Sequence, residues 1–227
     1  MPPGVRILCW TITSLLLTYC SSDLPHDQTR SYLAIGDSYT IGEGVEPSEG
    51  FPAQLRVLLD ARGEDVATPT IIARTGWTTS RISAAATDAS SMAPFDLVTV
   101  LAGANDHYQG AKVESYRRDM RGLIEKAIEL AGGSPARVVV ISVPDWTVSP
   151  AGKSRRPSVS IDQFNDAART LSNDLGTGYV DITAFSRRAT DRTMFAPDGL
   201  HPSAMQYAEW ARMILSEARR ALAAGAV

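Results

Sequence analysis

The sequence is poor in the residues from which disulfides and metal centres are built. Its two cysteines, Cys9 and Cys20, both lie in the first twenty residues, and histidine occurs only as His26, His107 and His201. Beyond residue 20 the chain therefore has no thiol for a disulfide or a thiolate metal site. The three histidines are spaced too widely for a zinc-enzyme pattern, and we expect neither a metal nor another cofactor.

Basic charge and phosphate-binding motifs are also lacking. The formal net charge is −3 at pH 7 with no basic stripe, which argues against a nucleic-acid partner. No G-x-S-x-G is present, which excludes the α/β-hydrolase nucleophile elbow. Residues 151–154 resemble the end of a phosphate-binding loop, but Thr147 stands where its first glycine belongs. Nothing in the sequence points to a protein partner.

The first thirty residues differ in character from the rest of the chain. Residues 1–20 contain one basic residue and then an apolar run that suits a signal peptide better than a membrane span. Residues 17–20 resemble the lipobox of bacterial lipoproteins, which implies membrane attachment through a lipid on Cys20. Tyr19 departs from that pattern, so ordinary cleavage near Ser22 and an uncleaved anchor are the alternatives. Residues 21–30 are interpreted as a polar tether, and we expect an exported protein of the cell envelope (periplasmic or membrane-anchored) or a secreted one.

Residues 31–227 show the alternation of a single α/β domain. Short, nearly continuous apolar runs predict buried strands at 32–36, 70–74, 95–103, 136–144 and 178–183. Helical spacing lies between them, and two capping boxes, Ser160-x-x-Gln163 and Ser203-x-x-Gln206, predict helices around 161–175 and 203–224. This order predicts a three-layer α/β/α sandwich with a central, mostly parallel five-stranded sheet.

Polar residues follow the ends of three predicted strands. Gly36-Asp37-Ser38 follows the first strand, Thr75-Gly76 the second, and Gly103-Ala104-Asn105-Asp106 the third. Ligand sites in open α/β sheets form beyond the carboxyl ends of the strands. We therefore expect these segments to face one crevice.

A serine at that crevice needs a base before it can act as a nucleophile. Serine is weakly nucleophilic at neutral pH, whereas imidazole can take its proton and a carboxylate can orient the imidazole. Asp198 and His201, three residues apart in Asp-Gly-Leu-His-Pro, provide both groups. An ordinary surface turn is the alternative interpretation of that segment.

These motifs together resemble the SGNH hydrolases, or GDSL-type esterases, which have a flavodoxin-like sandwich. The four blocks occur in family order between residues 36 and 202, and Tyr39 replaces the leucine of the namesake motif. The resemblance implies a serine carboxylic-ester hydrolase with Ser38 as nucleophile, His201 as general base and Asp198 as its orienting partner. It also implies an oxyanion hole formed by the N–H groups of Ser38 and Gly76 and the side chain of Asn105.

The substrate is less determined by the sequence. The family includes lipases, lysophospholipases, thioesterases and esterases of acetylated sugars. Because no large insertion separates the predicted elements to build a deep acyl tunnel, we expect small acyl esters such as acetylated carbohydrate. A lipid acyl hydrolase and a non-catalytic ligand-binding lipoprotein of the same fold are the alternatives.

Several neighbouring residues have simpler interpretations. Asp37 is expected to cap the helix after the first strand, Asp106 to bond local backbone, and His107 to be a loop residue without a catalytic role. Aromatic residues near strand ends are either substrate walls or ordinary packing, and residues 147–160 form either a lid or a solvated connection. The aromatic residues in question are Trp77, Tyr108 and Trp146.

Overall fold

The computed structural model describes residues 29–155, 157, 160–189 and 191–224. The predicted signal segment, Cys20 and nearly all of the predicted tether lie outside these residues. In the part of the chain that is described, no helix is long and apolar enough to cross a membrane.

A five-stranded, fully parallel sheet forms the centre of the domain, as predicted. Its strands are β1 (Tyr32–Gly36), β2 (Thr70–Ala73), β3 (Leu97–Leu101), β4 (Val138–Ile141) and β5 (Gly178–Val180), in the order β2-β1-β3-β4-β5. The three central strands are buried on both faces, which explains their continuous apolar sequences. The edge strands β2 and β5 are only half-buried, so the expectation of two covered faces fails for them.

Helices cover both faces of the sheet and complete the three layers. They are α1 (Ser38–Ile41), α2 (Phe51–Asp60), α3 (Thr79–Ala86), α4 (Ala104–Tyr108), α5 (Val113–Leu130), α6 (Ile161–Leu175), α7 (Thr183–Ser186) and α8 (Ala204–Ala223). Helix α2 packs against α8 in one layer, whereas α5 packs against both α3 and α6 in the other. Right-handed crossovers explain this division. The chain leaves β1 towards one edge of the sheet and β3 towards the other edge, so the helices that follow these two strands lie on opposite faces.

Neither predicted capping box forms, although one of the two serines caps its helix. Ser160 caps α6 by accepting a hydrogen bond from the Asp162 N–H at 3.2 Å, but among the described residues no bond from the Gln163 side chain to the Ser160 N–H completes the box. At α8 the predicted box is wrong, because the Gln206 side chain donates instead to the Met194 carbonyl at 2.6 Å. Helix α8 nevertheless begins one residue after Ser203, within the accuracy of the sequence pattern.

The strand order fixes where a ligand would bind. The chain leaves β1 towards β2 at one edge, whereas it leaves β3 towards β4 at the other, so the connections diverge between β1 and β3. In sheets of this order, the crevice at that switch point is the usual ligand site. Ser38 follows β1 and Asn105 follows β3, so both stand at this crevice.

Candidate active site

Ser38 lies at a sharp turn between β1 and α1. The turn brings Gly36 so close to Thr40 that a Cβ at residue 36 would lie 2.0 Å from Thr40 Oγ1, so only glycine fits there. Asp37 caps α1 by accepting a hydrogen bond from the Tyr39 N–H at 3.0 Å, which confirms its predicted capping role. Ser38 is the first residue of the helix and is 5% exposed.

The Asp198–His201 turn is held together by its own carboxylate. Asp198 Oδ1 accepts hydrogen bonds from the N–H groups of Leu200 (2.8 Å) and His201 (3.0 Å), and Oδ2 lies 2.5 Å from His201 Nδ1. Partial burial acts to raise the pKa of Asp198, but the hydrogen bonds from the imidazole and the two N–H groups outweigh it and hold the pKa below its ordinary value. An ionised Asp198 favours the imidazole tautomer with its proton on Nδ1, which leaves Nε2 free to accept a proton.

Gly76 lies in the exposed loop after β2, with a backbone φ of 80°. The left-handed backbone, not a lack of space, requires glycine there, because a Cβ would meet no atom within 4 Å. The loop is tied to the segment after β3 by Asn105, whose side-chain amide donates to the Trp77 carbonyl at 3.0 Å. The predicted donors Gly76 and Asn105 are therefore held in one unit.

The Asn105 amide has a second acceptor that the sequence did not indicate. Its Nδ2 also donates to Asp37 Oδ2 at 3.3 Å, so protein acceptors engage both of its hydrogens. A role as oxyanion donor requires the N–H that faces Asp37, which makes the longer of the two bonds, to be shared with or released to the substrate. Burial raises the pKa of Asp37 to about 7, although the hydrogen bond from the Tyr39 N–H opposes this shift.

Asp106 bonds its own backbone N–H, as predicted, and it also braces the start of a distant helix, which the sequence did not indicate. Its Oδ2 accepts hydrogen bonds from the Thr79 N–H at 2.8 Å and from the Thr79 hydroxyl at 2.9 Å, at the start of α3. Burial is the main cause that raises the pKa of Asp106, and the two bonds from Thr79 oppose it. Asn105 and Asp106 together attach the segment after β3 to the loop that carries Gly76.

One cavity of about 170 Å³ joins the predicted functional residues. Ser38, Gly76, Asn105 and His201 all line it, and Asp198 lies behind the imidazole. Within the residues that the structure describes, no hydrogen bond joins Ser38 Oγ to the His201 ring. Such bonds are often long in the absence of substrate and shorten when it binds.

Tyr39, the departure from the family motif, packs against the imidazole. Its ring centroid lies 5.4 Å from that of His201 and 6.0 Å from that of Trp210, so the phenol ring fills the space between the His201 ring and helix α8. Tyr39 is 4% exposed and also lines the cavity. The aromatic residue at this motif position therefore supports the side chain that the sequence assigns as the base.

His107 is a buried helical residue, so its interpretation as a loop residue was wrong. It lies in α4, is 2% exposed, and its Nδ1 accepts a hydrogen bond from the indole N–H of Trp146 at 3.0 Å. Trp146 and Tyr108 line the cavity. Trp77 instead packs against the core, and its carbonyl accepts the hydrogen bond from Asn105. Sequence alone could not show that His107 bonds Trp146, because these two residues lie 39 positions apart.

The first part of the segment 147–160 is attached to the turn that carries Asp198 and His201. Ser149 is buried, and the Ala151 N–H donates to the Gly199 carbonyl at 3.0 Å, which attaches this segment to the Asp198–His201 turn. The Arg155 guanidinium lies 4.6 Å from the centre of the Tyr108 ring. Residues 150, 151 and 153–155 are exposed, so this part of the segment is largely the solvated connection of the second interpretation, anchored at Ser149 and Ala151.

A serine, a glycine, an asparagine and a histidine around one crevice of a parallel sheet are the arrangement typical of the SGNH hydrolases. The sequence from residue 34 to residue 208 matches the model of the GDSL-like lipase/acylhydrolase family. The chain therefore belongs to that family, as its motifs predicted. A comparison with curated proteins finds no match.

Solved structures share the fold at low sequence identity. The crystal structure of TesA has a TM-score of 0.68 at 18% identity and covers 85% of this chain and 100% of its own. A lipase/acylhydrolase from Enterococcus faecalis has a TM-score of 0.68 at 22% identity, with 83% of this chain and 95% of its own covered. Axe2, an acetylxylan esterase from Geobacillus stearothermophilus, has a TM-score of 0.65 at 19% identity, with 83% and 94% covered.

Proposed function

We propose that the protein hydrolyses esters of short acyl groups, such as acetylated carbohydrate, through a covalent intermediate on Ser38. The observation that carries the proposal is the meeting of Ser38, Gly76, Asn105 and His201 at one cavity, with the His201 imidazole oriented by Asp198. Each of these groups has the chemistry that acyl transfer requires. Family membership independently supports an acyl-ester hydrolase.

In the proposed reaction, Ser38 Oγ attacks the acyl carbonyl while His201 Nε2 takes the hydroxyl proton. The carbonyl oxygen becomes an anion and accepts hydrogen bonds from the N–H groups of Ser38 and Gly76 and from the Asn105 amide. The C–O bond to the alcohol then breaks, and His201 returns the proton to the leaving oxygen. Water repeats the sequence on the acyl-enzyme, with His201 again as base, and releases the acid.

The size of the cavity supports short acyl groups. Pockets for drug-sized ligands typically enclose about 300–1,000 Å³, whereas this cavity holds about 170 Å³. A long hydrocarbon chain would extend beyond it. The names of the similar structures include both a lipase and an acetylxylan esterase, so the preference for a short acyl group rests on the cavity.

Hydrolysis of p-nitrophenyl acetate by the full chain and by its Ser38→Ala variant tests the proposed function. We expect turnover by the wild type and loss of nearly all of it in the variant, because the position without its hydroxyl cannot form the acyl-enzyme. Ser38→Ala should keep the far-ultraviolet circular dichroism of the wild type, which shows that the fold is intact. A variant that retains most of the activity would exclude Ser38 as the nucleophile.

Two other functions would give different results in the same assay. A lipid acyl hydrolase would turn over p-nitrophenyl octanoate faster than the acetate. A non-catalytic binding protein of this fold would show no Ser38-dependent turnover of any ester while remaining folded.

A further inference from the structure

A buried tryptophan forms part of the wall of the cavity. Trp146 lines the cavity and is 5% exposed, whereas Tyr108, which also lines it, is 48% exposed. The indole is therefore a buried part of the cavity wall, whereas the phenol ring lies where the cavity meets solvent.

The indole is fixed in orientation by a hydrogen bond and by ring contacts. Its N–H donates to His107 Nδ1 at 3.0 Å, and the two rings meet edge to face at 5.6 Å. His107 is held in turn by Phe164, edge to face at 5.2 Å. Because the N–H is the only polar group of the indole and is engaged by His107, Trp146 presents an apolar surface to the cavity.

The backbone that carries Trp146 is fixed as well. Its carbonyl accepts hydrogen bonds from the Ser149 hydroxyl at 2.7 Å and from the Ser149 N–H at 3.2 Å. The N–H of Asp145 donates to the Ser186 hydroxyl at 2.9 Å. The wall therefore consists of a side chain and a backbone segment that are both anchored to the body of the domain.

A second, much smaller cavity of about 10 Å³ also has Trp146 in its lining. Tyr39 and Leu200 line both cavities as well, so the two spaces share a wall. The Trp146 side chain therefore stands between the catalytic cavity and this second space. A small residue at position 146 would connect the two.

We propose that Trp146 sets the acyl-chain length that the enzyme accepts, and that removing its indole extends the acyl site into the second cavity. This inference rests on the proposed function of the Ser38 site. An apolar, enclosed wall suits the hydrocarbon of an acyl group, because burial in such a place favours hydrocarbon over a hydrated sugar. The exposed Tyr108 ring, with the Arg155 guanidinium over it, suits the polar alcohol at the mouth.

The test compares kcat/KM for p-nitrophenyl acetate, butyrate, hexanoate and octanoate among the wild type, Trp146→Ala and Trp146→Phe. The wild type should prefer the shorter esters. Trp146→Ala should shift the optimum to longer chains, with each newly accommodated methylene raising kcat/KM about threefold to fourfold. Trp146→Phe keeps an aromatic wall and should keep the wild-type order of chain lengths.

Three results would overturn the inference. The first is a wild type that prefers octanoate. The second is a Trp146→Ala variant that turns over acetate and ranks the esters as the wild type does. The third is a Trp146→Ala variant whose activity changes only towards acetate esters of different alcohols. The last would mean that the indole faces the alcohol. Absence of Ser38-dependent turnover in the wild type would instead overturn the proposed function itself.

Two further measurements apply if Trp146→Ala does not fold. Trp146→Leu is apolar and intermediate in size, so its optimum should lie at a longer chain than that of the wild type. The unmodified enzyme can be inactivated with p-nitrophenyl alkylphosphonates, which transfer the alkylphosphonyl group to Ser38 and release p-nitrophenol. Faster inactivation by the ethyl than by the octyl reagent supports the wall, and the opposite order contradicts it.

Discussion

At the residue scale, the proposed mechanism requires Asp198 to determine which nitrogen of His201 carries the proton. Asn is nearly isosteric with Asp, but its amide NH₂ placed against Nδ1 would favour the tautomer with its proton on Nε2, which cannot accept the Ser38 proton. Asp198→Asn should therefore lower kcat by on the order of a thousandfold or more. Steady-state kinetics on p-nitrophenyl acetate measures the effect.

Asp191→Asn provides the matched control for that variant. Asp191 also accepts a hydrogen bond from backbone N–H two residues ahead, in the turn that precedes the same segment, and it does not line the cavity. Its substitution should leave kcat unchanged. If Asp198→Asn kept more than about a tenth of the wild-type kcat, Asp198 could not be the group that orients His201.

Asp37 makes the stability of the protein depend on pH. Burial raises its pKa to about 7. Between about pH 4 and pH 7, the folded chain thus holds a proton on Asp37 that the unfolded chain has released. The free energy of unfolding therefore falls as the pH rises through this interval, by an amount on the order of a few kcal/mol from this group.

Asp37→Asn isolates that contribution because Asn cannot ionise. The substitution also changes hydrogen bonds, including the one with Asn105, and this affects the free energy of unfolding at every pH. The contribution from ionisation of Asp37, in contrast, changes with pH. In urea unfolding, the wild type minus variant difference in free energy should decrease from about pH 4 to about pH 8. A difference that is constant over this range would show that Asp37 is not held protonated by burial.

At the scale of the element, the start of α8 provides a test of two hydrogen-bond patterns. Gln206 is 2% exposed and bonds the Met194 carbonyl, whereas Ser203 Oγ is buried without a partner among the described residues. Gln206→Ala should lower the free energy of unfolding by about 0.5–1.5 kcal/mol because it removes one hydrogen bond to the Met194 carbonyl, which keeps its bond from the Ser203 N–H, and Ser203→Ala should have little effect. Urea unfolding compares the two variants. A loss of about 1 kcal/mol for Ser203→Ala would show that the Ser203 side chain caps α8, as the sequence predicted.

Helix starts and strand positions were predictable because their signals are local. The continuous apolar runs located all five strands, and the serines before α6 and α8 located both helix starts. The hydrogen bond of Gln206 was not predictable, since its acceptor, Met194, is brought near by the turn between Phe195 and Pro202. The same limit applies to Asp106, whose partner Thr79 lies 27 residues away.

At the scale of the whole molecule, the parallel sheet explains why the candidate site could be predicted from sequence. The carboxyl ends of neighbouring parallel strands share one edge, so the polar residues after β1, β2 and β3 must meet once the strands are assigned. The wall formed by Trp146 and His107 depends on packing between distant segments and leaves no signal of its own. Export and a lipid on Cys20 remain predictions, because that part of the chain lies outside the described residues.

Covalent labelling of the full chain is the most direct test of the central claim that Ser38 is an activated nucleophile. An excess of a fluorophosphonate should inactivate the enzyme and add one phosphonyl group to the peptide that contains Ser38, as located by mass spectrometry. His201→Ala should be labelled far more slowly, because Ser38 then lacks its base. A label on another residue, or a wild-type chain that stays active and unlabelled, would contradict the account.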